Sequence, residues 1–138
     1  PLLVKVLKHQ QPDLRASAAD ALGHMGIAAS DAVTDLIALL RDQDRQVRYR
    51  GVRALHELGP KAKPAVPVLR EIIFNAKESE AIRNWSIKTL IVTLPETHDE
   101  VVKTLIEASA EDVNYQVRQV AREQLRKIDP KAAEAAGI

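Results

Sequence analysis

Aliphatic positions recur along this chain at a fixed interval. Leu3, Leu36, Leu69 and Val102 stand 33 residues apart, and so do Val6, Leu39, Ile72 and Leu105, and Leu7, Leu40, Ile73 and Ile106. Within each copy the offsets are i, i+3 and i+4, which places the three residues on one face of a helix. A second ladder runs between these sets. An aliphatic residue followed by arginine appears at Leu14-Arg15, Val47-Arg48, Ile82-Arg83 and Val117-Arg118, with arginine spacings of 33, 35 and 35. Three residues after each arginine stands a small side chain (Ala18, Gly51, Ser86, Ala121), and seven after it a leucine (Leu22, Leu55, Leu90, Leu125). Self-similarity at such a period predicts stacked helix pairs. The first helix of each pair, A, falls near 2–9, 31–42, 64–77 and 98–109, and the second, B, near 12–25, 45–58, 80–93 and 115–128.

The change of period from 33 to 35 has a local source. From the A-helix leucine or valine to the B-helix arginine there are 12, 12, 14 and 16 residues, so the insertions fall in the A–B loops, where extra length costs little. Gln11, Asp44, Ser79 and Asn114 each stand four before a marker arginine. The last three are good N-caps, able to accept from a backbone N–H that has no partner inside the helix. Pro12 suits the first position of its helix, and Thr97 to Glu100 has capping-box spacing. Gly26 and Gly59 follow the last apolar residue of their B helices, as a left-handed C′ position requires. The expected fold class is all-α, a right-handed α-solenoid of about four two-helix units near 1–26, 30–59, 64–94 and 97–128, with 129–138 a C-terminal cap or tail. The whole of 1–138 reads as one domain.

Composition narrows the possibilities further. The chain is 46% hydrophobic and 28% charged, has four aromatic residues (Tyr49, Phe74, Trp85, Tyr115), and its apolar side chains are aliphatic, a mix that favours helix. Twenty basic residues against 19 acidic give a net charge of +1, without the basic excess usual in nucleic-acid binders. The absence of cysteine closes disulfide, thiolate-metal and cysteine-nucleophile chemistry. It suits the cytosol and an oxidising compartment alike. No apolar run reaches the ~18 residues of a membrane span, so no membrane partner is expected. The chain opens at Pro1-Leu2-Leu3, already within the apolar pattern, and reads as a piece of a longer protein. Its first A helix is then expected to present an apolar edge unless a preceding domain or a second copy covers it.

The B-helix pattern, aliphatic-Arg-x-x-small-x-x-small-Leu, resembles HEAT-like repeats of the short bacterial kind, including those of the phycobilin lyases. It is cleanest at Leu14-Arg15-Ala16-Ser17-Ala18-Ala19-Asp20-Ala21-Leu22-Gly23 and over Val47 to Gly59. Gly59-Pro60-Lys61-Ala62-Lys63-Pro64-Ala65-Val66-Pro67 is similar to the junction between two such units. The last two units depart from the pattern, with Trp85 at a flanking position and no closing glycine. The resemblance implies a binding module whose B helices line the concave surface. It also leaves open a nucleic-acid-binding domain or an accessory, lyase-type domain of a larger enzyme.

On that surface helical geometry places Asp20, then Tyr49, Arg53 and His56, then Asn84 and Lys88, then Gln119, Glu123 and Arg126. A stripe of mixed sign with one aromatic suits a protein partner, or an adjacent domain of the same polypeptide, better than a phosphate backbone. The marker residues Arg15, Arg48, Arg83 and Arg118 would form a ladder that holds adjacent units in register, since so strict a recurrence follows the fold. Arg41, Arg45, Arg48, Arg50 and Arg53 make the densest basic run, but Asp42, Asp44 and Glu57 are interspersed. No two of His9, His24, His56 and His98 share a repeat position, and only His56-Glu57 matches the dyad that HEAT-like iron hydroxylases repeat. No metal, cofactor or catalytic set is therefore expected. Trp85 is read either as wedged between the third and fourth units or as a partner contact, and Tyr49 as the more exposed of the two.

Overall fold

A computed structural model describes residues 2–94, 98–111 and 114–138, the side chains of Ile27, His98 and Glu111 excepted. Their regular secondary structure is all helical. The A helices are α1 (Leu2–Val6), α3 (Val33–Leu39), α5 (Val66–Phe74) and α7 (His98–Glu111). The B helices are α2 (Pro12–Met25), α4 (Arg45–Leu58), α6 (Glu80–Thr93) and α8 (Tyr115–Ile128), and a short α9 (Pro130–Ala135) packs on α8. Each B helix lies against its own A helix, and the B helices pack in series, α2 on α4, α4 on α6 and α6 on α8. The result is an α-solenoid.

All of the B helices begin and end where the periodicity places them. Local chemistry explains three of their starts. Asp44 accepts from the backbone N–H of Gln46 and Val47, Ser79 from Ile82 and Asn114 from Val117. Gln11 makes no such cap, and Pro12 alone marks that start. Three of the A helices, α1, α3 and α5, are shorter than expected, while α7 runs two residues past its expected end. Residues 26–32 and 59–65 form 3-10 turns that lead into α3 and α5. Pro60 and Pro64 remove donors from the second of these turns, so a continuous α-helical ladder cannot form there. Gly26 and Gly59 have the expected positive φ of 54°, but with ψ of −130° and −128°. This is not the left-handed helical basin. It is close to the first central position of a type II′ turn, and it sends the chain into the 3-10 segment. A β-carbon at either position would meet nothing within 4 Å, so backbone conformation and not space requires glycine here. Pro95 and the spacing of Thr97 to Glu100 lie outside the described residues.

The small residues after each arginine now have separate reasons. Ala18, Gly51, Ser86 and Ala121 are all buried. A β-carbon on Gly51 would stand 3.2 Å from Leu39 Cβ and 3.3 Å from Leu40 Cδ2, so this row sets how closely a B helix approaches its own A helix. A β-carbon on Gly23 would stand 2.9 Å from Ala54 Cα. The α2–α4 interface is thus a near-contact of backbones. Thr89 is completely buried on α6, where its Oγ1 donates to Trp85 O at 2.8 Å and reaches Val52 O of α4 at 3.4 Å.

The interior divides into two adjoining clusters. One runs from Leu7 to Ile82 and includes Leu36, Val47, Leu55 and Leu69. The other joins Val66, Ile73, Ile87, Leu90, Leu105, Val117 and Leu125 and takes in Ala133 of α9. They meet in the α5–α6 pair, whose side chains serve both. This is the arrangement of a stack in which each pair buries its apolar faces against its neighbours. The apolar edge expected on the first A helix is present: α1 has no buried residue and Leu2 is 74% exposed.

Candidate functional site

The face of α2, α4, α6 and α8 that turns away from the A helices carries the expected stripe, and none of its members is fully buried. Asp20, Tyr49, Arg53, His56, Asn84 and Gln119 are half-buried, and Lys88, Glu123 and Arg126 are exposed. Trp85 lies among them. Its ring has Arg53 Cζ at 5.3 Å and Lys88 Nζ at 5.0 Å from the centroid, within cation–π range. His56 meets it edge-on, with centroids 5.4 Å apart and planes at 83°. Tyr49 has Arg53 Cζ at 5.9 Å and Arg50 Cζ at 6.0 Å. Tyr49, Arg53, Trp85 and Lys88 are therefore one connected chain of rings and cations across two B helices. Tyr49 also lines a groove of about 290 Å³ with Arg45, Gln46, Ser79, Ala81 and Ile82.

Of the two readings of Trp85, the wedge between the third and fourth units does not hold. Trp85 is half-buried against the first cluster and against α4, not wedged toward the fourth unit. Tyr49 is half-buried against the same cluster. Ring area draws both inward, since an aromatic face gains more from covering the α2–α4–α6 seam than from solvent.

Five residues after each marker arginine the chain reads Asp20, Arg53, Lys88, Glu123. The two carboxylates at the ends are engaged locally, Asp20 by Arg50 at 2.7 Å and Glu123 by Lys127 at 2.6 Å. The two central cations form no salt bridge among the described residues. Nearby, Arg53 Nε, His56 Nδ1 and Asn84 Oδ1 are shielded from solvent without a hydrogen-bond partner. Burial, and secondarily the charges of Lys88 and Arg53, push the His56 imidazole below its ordinary value, against the opposing pull of Glu57. Its neutral form is favoured. Arg50 belongs to this surface and was not legible as such. The signal for Arg50 was its position three before Arg53, one helical turn away on the same face.

The marker arginines sit at one edge of the stack. Arg15 holds Asp42 with Nε and Nη2 at 2.7 and 2.8 Å, and its Nη1 donates to the carbonyls of His9 and Gln10. Arg48 repeats this with Glu78 at 2.6 and 3.1 Å and the carbonyls of Asp42 and Gln43. Arg83 is 2% exposed and donates twice to Ile73 O. Arg118 packs on Tyr115 at 5.8 Å. The first two thus tie an A–B turn of their own unit to a carboxylate of the next.

Burial raises the carboxyls of Asp42 and Glu78, but hydrogen bonds from Arg15 and Arg48, the N–H groups of Asp44 and Ser79 and the guanidinium charges outweigh it. Both carboxyls are held below their ordinary range. A carboxylate lowered in the folded state adds stability above its unfolded pKa, near 4, and loses it as pH falls through the folded value. Urea melts of the wild type are expected to lose stability progressively below about pH 4. A D42N/E78Q double variant should be weaker at pH 7 and show a flatter acid limb. An unchanged limb would show that these carboxyls do not titrate with folding.

Among the described residues no group of three or more His, Asp or Glu is placed to hold a metal ion, and no helix is long and apolar enough to cross a membrane. No curated protein matches the chain. An engineered protein, whose crystal structure comes from the Northeast Structural Genomics Consortium, superposes with a TM-score of 0.70 at 21% identity, over 99% of this chain and 67% of its own. That likeness concerns the fold alone. The family model for HEAT repeats matches residues 1–91 and again 33–126. With the two matches overlapping across the central units and together covering almost all of the helical stack, the chain belongs to the HEAT-repeat family.

Proposed function

We propose that this chain is a non-catalytic interaction module that takes a protein partner, or an adjacent domain of its own polypeptide, on the B-helix face. HEAT repeats commonly serve as interaction scaffolds, and stacked repeats offer extended surfaces for the purpose. The observation that carries the reading is the connected chain Tyr49–Arg53–Trp85–Lys88. Tryptophan, tyrosine and arginine are the residue types that dominate binding energy at protein interfaces. Here they are half-buried and already in place. Asp20, His56, Asn84, Gln119, Glu123 and Arg126 would form the polar surround. Arg15, Arg48, Arg83 and Arg118 stand apart from this face, and we assign them to holding the units in register.

The test is affinity capture with the parent protein and with a variant carrying Y49A, R53A and K88A, each checked for helical content. A defined protein partner retained by the parent and lost by the variant is the expected result. Partners that survive the triple change would place the binding surface elsewhere. Nucleic acid recovered in their place would overturn the protein-binding reading.

A further inference from the structure

The row Asp20, Arg53, Lys88, Glu123 is negative at both ends and positive at the centre. Its outer charges have ion-pair partners in their own or the adjacent helix, while its inner charges share one indole ring and form no salt bridge among the described residues. From this charge pattern we propose that the centre of the B-helix face binds a short acidic segment of polypeptide, whose Asp or Glu carboxylates pair with Arg53 and Lys88 over Trp85. The proposal rests on the protein-binding reading above and names its partner's chemistry.

Three observations favour this occupant. The first is the length of the cationic stretch. Adjacent packed helices are about 8–10 Å apart, so Arg53 and Lys88 span one helix-to-helix step. That step accommodates the carboxylates of a few neighbouring residues. A phosphate backbone is negative along its whole length, and Asp20 and Glu123 would repel it on either side of that step. The second is the polar surround of the two cations. Asn84 and Gln119 lie half-buried on the same face, and each carries both amide donors and an amide acceptor. A polypeptide brings carbonyls and N–H groups to meet both, whereas a phosphate backbone brings only acceptors. The third is Trp85, held half-buried between α4 and α6 with His56 against its edge. It gives a peptide an apolar floor beside the two charges.

A random dodecamer library displayed on phage is the first probe, selected on the full chain, with a twelve-nucleotide single strand and a duplex of the same length as controls. Selected peptides are expected to be enriched in Asp and Glu over the input. The best should bind at least about tenfold more weakly to K88Q, given the worth of a hydrogen bond to a charged group. Lys88 is exposed, so that variant should keep its fold. A charge-reversed R53E/K88E chain should select basic peptides instead. Binders without acidic enrichment that are nevertheless lost on Y49A would overturn the acidic partner and leave the protein-binding face standing. Acidic binders that survive both K88Q and the charge reversal would also overturn it. Binding of the nucleic-acid controls with no peptide selected would overturn both readings.

Discussion

Replacement of Arg48 with methionine is expected to lower the stability of the chain by about 3 kcal/mol, the low end for breaking a shielded ion pair. Methionine keeps most of the apolar stem and removes the guanidinium. Glu78, whose side chain is 7% exposed, then loses both of its guanidinium hydrogen bonds and keeps the Ser79 N–H at 2.7 Å. The carbonyls of Asp42 and Gln43 lose a shared donor as well. The low end applies because the arginine side chain is itself 20% exposed, so some water reaches the orphaned carboxylate. Chemical denaturation of R48M, E78Q and the double variant gives the coupling energy directly. The double variant should be less damaged than the sum of the two singles, because the second change removes the uncompensated charge. Arg41–Glu71 is the natural contrast. It is as short, at 2.9 Å, but its side chains are 64% and 63% exposed, and R41A should cost no more than about 1 kcal/mol. If R48M costs no more than R41A, the marker arginines have no role in holding the units together.

Truncation of Leu55 to alanine should cost about 3–4 kcal/mol, in the range for large-to-small changes in a close-packed interior. Leu55 is completely buried on α4, in the cluster that runs from the first pair to the third. Alanine removes the branched end of the side chain, and the surroundings have little freedom to close over the gap. Gly23 against Ala54 already brings α2 and α4 to backbone contact on one side, and Thr89 reaches Val52 O from α6 on the other. The change therefore weakens two interfaces at once, and in a linear stack stability is the sum of unit and interface terms. The denaturation midpoint should fall sharply. A drop in the m-value as well would show the outer pairs unfolding apart from the centre. Tyr115, 60% exposed, offers a control at which truncation to alanine should stay within about 0.5 kcal/mol.

The fold was legible because its determinants are local and repeated. The limits of all of the B helices follow from a 3.6-residue apolar period, from side-chain caps such as Asp44 and Asn114, and from the glycines that end α2 and α4. Each of these acts within a few residues of the chain. The starts of α3 and α5 were set too early because the glycine of the first junction and the glycine and prolines of the second lead into 3-10 turns, a distinction that apolar spacing does not encode. The stripe from Asp20 to Arg126 was likewise legible as a face, since helical geometry alone decides which residues share it. What the sequence left open is how that face is knit together. Arg48 finds Glu78 30 residues away, and Arg53 of α4 finds the indole of Trp85 on α6. The same stacking brings Asp20 to Arg50 and leaves Arg53 and Lys88 without a salt bridge among the described residues. A residue's own helix fixes its direction, but its partner depends on the offset and distance between neighbouring helices. Those are set by contacts such as Gly23 on Ala54, which exist only once the units have stacked.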